Sequence, residues 1–265
     1  MAVDHSFMLR KIQSRTKMFV AYCAYTNMPL VVCDPETGND QIYIFEKEPL
    51  LQEFAKAYTE KKILLRGMEV KNKVFLRFYS SLFAIGINEL VFVNELSTVK
   101  IALEDLIRKP DLSALKPEQR PVMNENLQLT GLYFMQEAGR PVPVEEKEDL
   151  EDLQEELTAN MVKATYILAY QLQDGPGSVE EKIKAHQYNV LIIKDKDGNT
   201  YQPAFTDPFE LEKFSKGKKY TALRVPFADL SKCLIKDAKG FMLNPGGFHI
   251  LMPRELLEEL PTRFQ

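Results

Sequence analysis

Leu191-Ile-Ile-Lys-Asp195-Lys-Asp-Gly198-Asn199-Thr-Tyr201-Gln-Pro-Ala-Phe205-Thr-Asp207-Pro208-Phe-Glu210-Leu-Glu-Lys-Phe214 is the stretch on which the fold turns. Two strand-like apolar runs flank an Asp-Gly-Asn segment, whose glycine supplies the positive φ that a short hairpin turn demands. Asp207, Pro208 and Glu210 then mark a helix start: a side-chain cap, a proline at the first helical position and an acid in the first turn. The stretch reads strand, tight turn, strand, helix. The same order runs through Leu30-Val-Val-Cys-Asp34, Gly38-Asn39, Gln41-Ile-Tyr-Ile-Phe45 and Pro49-Leu-Leu-Gln-Glu-Phe54. Phe45 and Phe54 are nine residues apart, and so are Phe205 and Phe214.

Working outward, each half opens on an amphipathic helix candidate, carrying Met8, Leu9 and Ile12 or Leu150, Leu153 and Leu157. An apolar strand follows, Met18 to Tyr22 or Tyr166 to Tyr170. After the central helix each half continues with a strand near Ile63–Leu65 or Thr221–Arg224. A second helix then bears Val74, Phe75, Phe78 and Leu82, or Phe227, Leu230 and Leu234. A strand ending in Ile87-Asn88 is paired with one ending in Leu243-Asn244, and a last strand and short helix close each half. Strands that are short and partly hairpin-joined predict an α+β protein with helices packed on one short-stranded mixed or antiparallel sheet per domain. Two tandem domains are expected: 1–108, a proline-containing linker at 109–124, and 125–265, with an extra helix over 127–138.

A chain of 265 residues, 45% hydrophobic and 27% charged, can bury two cores without a disulfide or metal staple. Three cysteines with no CxxC pair are expected of a reducing compartment. No apolar run reaches the ~18–20 residues of a membrane span, and the start, Met-Ala-Val-Asp-His-Ser-Phe, lacks a basic leader. A cytoplasmic protein is expected. Residues 1–110 hold 15 Lys/Arg against 13 Asp/Glu, residues 111–160 hold 4 against 12, and residues 161–265 hold 15 against 13. Neither near-neutral body has the basic excess of a nucleic-acid binder. The weaker candidate surface for nucleic acid is Lys61, Lys62, Arg66, Lys71, Lys73 and Arg77.

Chemistry-bearing motifs are scarce. Asp195-x-Asp197-Gly198-Asn199 puts glycine fourth and Thr206 twelfth, which fits a hairpin rather than a calcium loop. His5, His186 and His249 lack metal-ligand spacing, so no metal or other cofactor is expected. Gly175-Pro-Gly177 lacks the lysine and spacing of a phosphate loop. Asp34 and Glu36 would raise the Cys33 thiol pKa, and no nucleophile elbow is present. The acidic run 145–152 reads as the solvated face of a helix.

The Asp-Gly-Asn turn, Phe205-Thr-Asp-Pro-Phe209 and Gly240-Phe-Met-Leu-Asn-Pro-Gly246 resemble the SseB N-terminal domain family. Residues 161–265 resemble it well. The first half resembles it in degenerate form, with Glu46-Lys47 in place of Thr-Asp and Asn88-Glu89 in place of Asn-Pro-Gly. The resemblance implies a bacterial, cytoplasmic α+β protein and brings no catalytic residues. The reading is a non-catalytic protein-interaction or ligand-sensing module with an unknown protein or small-molecule partner. The alternative is an enzyme whose site assembles from dispersed residues at the domain interface. The candidate binding residues are Asn244, Pro245, Gly246 and Gly247, where the first half has Glu89, Leu90 and what reads as an extra strand, Val91-Phe-Val93. Here proline fixes φ, glycine is expected to supply positive φ, and unshielded backbone N–H groups suit a carboxylate or other acceptor.

Overall fold

A computed structural model describes residues 5–263 of the chain. The chain start, on which the argument against a leader rests, lies outside the described residues at positions 1–4, as does the side chain of His5. Two compact units are formed, Met1–Glu118 with Leu132–Leu150, and Gln119–Gly131 with Glu151–Gln265.

The first unit contains α1 (His5–Gln13), β1 (Lys17–Cys23), β2 (Met28–Pro29), β3 (Val31–Cys33), β4 (Asp40–Phe45), α2 (Glu48–Glu60), β5 (Leu65–Lys71), α3 (Phe75–Ala84), β6 (Glu89–Val93), β7 (Thr98–Ala102) and α4 (Leu103–Leu106). Its sheet runs β5-β1-β4-β6-β7, with β2 on β1 and β3 on β4. Every pairing is antiparallel except β4 with β6. That single parallel pairing requires a crossover, which α2, β5 and α3 supply. Central β1 is buried from Met18 to Ala21, because helices cover both faces. Phe19, Ala21 and Phe45 meet Leu51 and Phe54 of α2, while Tyr79 of α3 reaches Met18 on the other face.

Then come α5 (Glu125–Ala138), α6 (Leu150–Lys163), β8 (Thr165–Leu172), α7 (Val179–Lys184), β9 (Tyr188–Val190), β10 (Ile193–Lys194), β11 (Thr200–Phe205), α8 (Pro208–Ser215), β12 (Thr221–Pro226), α9 (Phe227–Cys233), β13 (Gly240–Leu243), β14 (Ile250–Pro253) and α10 (Arg254–Arg263). The extra helix is α5, divided between the units at Gly131 and Leu132. Within the segment read as linker, Val122 is buried with Ile167, Ala169 and Phe205, and the Arg120 carbonyl accepts from Arg224.

The second sheet runs β12-β8-β11-β13-β14, with β9 on β8 and β10 on β11. Again only one junction, β11 with β13, is parallel. Strand for strand, order and direction match the first unit, the arrangement expected of two tandem domains. The aromatic pairs match too: ring centroids lie 5.2 Å apart for Phe45–Phe54 and 5.3 Å for Phe205–Phe214.

One correspondence drawn from sequence is corrected. Asn88 precedes β6, whereas Asn244 follows β13. The register sets Ile44 against Phe92 and Ala204 against Leu243, so Asn244 answers to Val93, with Asn94 next. Residues 89–93 are therefore no extra strand but β6 itself, the counterpart of β13. The short Ile-Asn and Leu-Asn strings match in sequence but lie at opposite ends of corresponding strands.

Candidate functional site

Phe205 ends β11, and the chain must leave the sheet there to enter α8. Asp207 caps that helix as expected: its Oδ1 accepts from the backbone N–H of Phe209 (2.8 Å) and Glu210 (3.1 Å), with Pro208 at the first helical position. Thr206 and Asp207 are wholly buried, so each polar atom needs a partner. The partner of Thr206 is Asn244. The carboxamide oxygen of Asn244 accepts from the Thr206 N–H (3.0 Å), and its nitrogen donates to Thr206 Oγ1 (2.9 Å). Thr206 Oγ1 in turn donates to Asp207 Oδ2 (2.7 Å), which also accepts from Gln128 Nε2 of α5 (2.7 Å). Two of the three segments that carry the family resemblance, 205–209 and 240–246, thus meet through one buried side chain.

The four candidate residues differ in exposure. Asn244 and Gly247 are buried, Pro245 and Gly246 half-buried, and neighbouring His249 exposed. The left-handed residues of the turn are Asn244 (φ 48°) and His249 (φ 43°), not the glycines. Asparagine tolerates that region better than most residues. Gly247 is needed for space instead: a Cβ there would stand 2.9 Å from Glu210 Oε2. Its N–H is already donated to the Asn244 carbonyl (2.9 Å).

Glu210, the expected acid of the first helical turn, is 1% exposed. One carboxylate oxygen pairs with Lys213; the other, Oε2, is buried without a hydrogen-bond partner, as is Gln128 Oε1. Burial pushes the carboxyl pKa up, with the nearby Asp207 charge adding to it and Lys213 and Gln128 opposing. A native pKa above the unfolded value means that the folded unit holds this proton more tightly. The resulting stabilisation is complete below the ordinary glutamate pKa and is lost as pH rises through the elevated native one. Glu210→Gln mimics the protonated acid, so the wild-type melting temperature should fall relative to that variant across this window. Parallel melting curves at every pH would refute the assignment.

Around Thr206, Asn124 Nδ2 donates to the carbonyls of Thr165 (2.8 Å) and Thr206 (2.6 Å). Asn124 also lines a shallow pocket of about 330 Å³ with Glu125, Asn160 and Lys163. Gln128, Asn124 and the burial of Glu210 escaped sequence reasoning: α5, which carries Gln128, has no counterpart in the first half, and the bonds of Asn124 and the burial of Glu210 are set by tertiary contacts.

The remaining motifs are placed as follows. Asp195 accepts from the N–H groups of Asp197 and Asn199 and from the Asn199 carboxamide, closing the β10–β11 hairpin with Gly198 at φ 82°. Gly175 and Gly177 lie in the loop before α7, which Ser178 and Glu181 cap reciprocally. Among the described residues no group of three or more His, Cys, Asp or Glu side chains converges to hold a metal. The Cys33 thiol pKa is raised, first by desolvation and then by Asp40 and Asp34; Glu36 plays no part. In the first unit, buried Asp34 accepts from Lys100, Thr37 and Gln41, and its pKa is held down to about 2, chiefly by Lys100. No helix among the described residues is long and apolar enough to cross a membrane.

Residues 141–259 match a sequence model of the SseB protein N-terminal domain. No curated protein matches the chain. Among solved structures, Tic22 from Plasmodium falciparum is 13% identical, with 97% of this chain and 96% of that chain covered and a TM-score of 0.22. Anabaena Tic22 (protein transport) is 12% identical, with 84% and 82% covered and a TM-score of 0.22. The family match spans α6 through most of α10 and contains both Thr206 and Asn244, the two ends of the buried clamp; over residues 141–259 the chain is similar to the SseB protein N-terminal domain.

Proposed function

We propose that this protein is a non-catalytic binding module that presents the β13–β14 turn to a partner. The observation that carries the reading is the Asn244 clamp. Two hydrogen bonds to buried Thr206 hold the turn to the end of β11, while half-buried Pro245 and Gly246 and exposed His249 form its outer surface. A turn fixed from beneath loses little conformational entropy on binding. The corresponding turn of the first unit is built differently: Asn94 accepts from the N–H groups of Leu96 and Ser97 and so satisfies only its own loop. Three free cysteines support a cytoplasmic setting.

The test separates surface from scaffold. Gly247→Ala would press on Glu210, so it cannot serve as a surface probe. Pro245→Ala with His249→Asn, which removes the imidazole but keeps a residue that tolerates φ 43°, is chosen instead, and its melting temperature should stay within about 2 °C of wild type. Affinity purification from the native host should recover a protein or small molecule with the wild-type chain and lose it with the double variant. Equal recovery by both would remove the turn from the binding surface.

A further inference from the structure

The outer edge of β5 is open. β5 pairs with β1 along its whole length, from Lys17 opposite Lys71 to Cys23 opposite Leu65, and with no other strand among the described residues. The Ala24 N–H donates to the Leu64 carbonyl (2.9 Å) and the Asn72 N–H to the Thr16 carbonyl (2.8 Å), which sets the phase of the ladder. Even-numbered residues bond to β1, so Leu65, Gly67, Glu69 and Lys71 turn their N–H and C=O groups outward. Arg66 to Glu69 are all exposed. Leu64 and Met68, on one face by the strand period, are 56% and 44% exposed.

An edge of this length pairs with other chains unless something opposes it. Residues 61–73 carry Lys61, Lys62, Arg66, Lys71 and Lys73 against one acid, Glu69, and Glu69 is engaged by Lys17 (2.7 Å) and Lys71 (3.8 Å). A second copy of β5 would set like charge against like charge, which disfavours self-pairing. The same charge attracts an acidic segment. We infer that the β5 edge is a docking site for an extended acidic polypeptide, which adds to the first sheet as a further strand. Outward amides supply the ladder, and alternate apolar side chains of the guest cover Leu64 and Met68. This surface belongs to the first unit and stands independently of the β13–β14 turn.

A labelled short peptide of alternating glutamate and valine, titrated into the full chain by fluorescence anisotropy, tests the assignment. It should bind, more weakly as salt rises, and should slow amide exchange at Gly67 and Glu69. The same peptide N-methylated at alternate amides should bind at least about tenfold more weakly. Gly67→Pro deletes one outward N–H and leaves the β1 bonds intact; it should also weaken binding about tenfold at unchanged melting temperature. Should that variant lose its fold, Met68→Glu, at an exposed side chain, replaces it and should weaken binding by removing apolar cover and repelling the acidic guest. Absence of binding, equal binding of the methylated peptide, or tighter binding of an oligothymidylate than of the peptide would overturn the proposal.

Discussion

Phe205→Ala should destabilise the second unit by about 3–5 kcal/mol, the range for removing a large aromatic from a packed core. Phe205 is wholly buried at the end of β11. It packs on Val122, Ile167 and Ala169, and its ring meets Phe214 of α8 at 5.3 Å. Truncation removes apolar burial and opens a cavity between strand and helix that the neighbouring strands restrain from collapsing. Phe214→Ala should cost less, about 1–3 kcal/mol, because Phe214 is only half-buried, packed against Phe205 and Tyr220. The sequence comparison assigns the two rings equal weight; the structure separates them. Urea unfolding followed by circular dichroism measures both. A loss below about 1 kcal/mol for Phe205→Ala would mean that the β11–α8 junction is not the core of this unit.

Asn244→Ala should cost about 2–4 kcal/mol, from two sources. Loss of the carboxamide leaves the buried Thr206 N–H without its partner and takes a donor from Thr206 Oγ1, at about 1–3 kcal/mol for an unsatisfied buried group. The remainder is backbone strain, since alanine at φ 48° lacks the local advantage of asparagine in the left-handed region. Asn244→Gly separates the two terms: it removes the strain but not the lost bonds, so its stability should lie between alanine and wild type. If glycine and wild type unfold at the same denaturant concentration, the clamp contributes nothing and the turn is held by its backbone alone.

Sequence alone determined the strand–turn–strand–helix units and their repetition. The positive-φ Gly38 and Gly198, the capping Asp207 with Pro208, and the repeated Phe-to-Phe spacing are local signals, each acting within a few residues of backbone, so they can be read without knowing the fold. The α+β class follows from them, and so does the likeness of the two halves. Which asparagines correspond could not be read this way. Asn88 and Asn244 share a local sequence context but lie at opposite ends of corresponding strands, and only the pairing of β6 with β4 and β13 with β11 sets the register. The chemistry of the candidate site was likewise tertiary. Gln128, Asn244 and the Asp207–Glu210 turn are distant in sequence, and nothing in their local sequence shows that the fold buries them together. Burial turned Glu210 from an acid of the first helical turn into a carboxyl with a raised pKa, and it made Gly247 a requirement of space rather than of φ. Hydration and close contact depend on what the whole chain brings together, and no window of neighbouring residues contains that information.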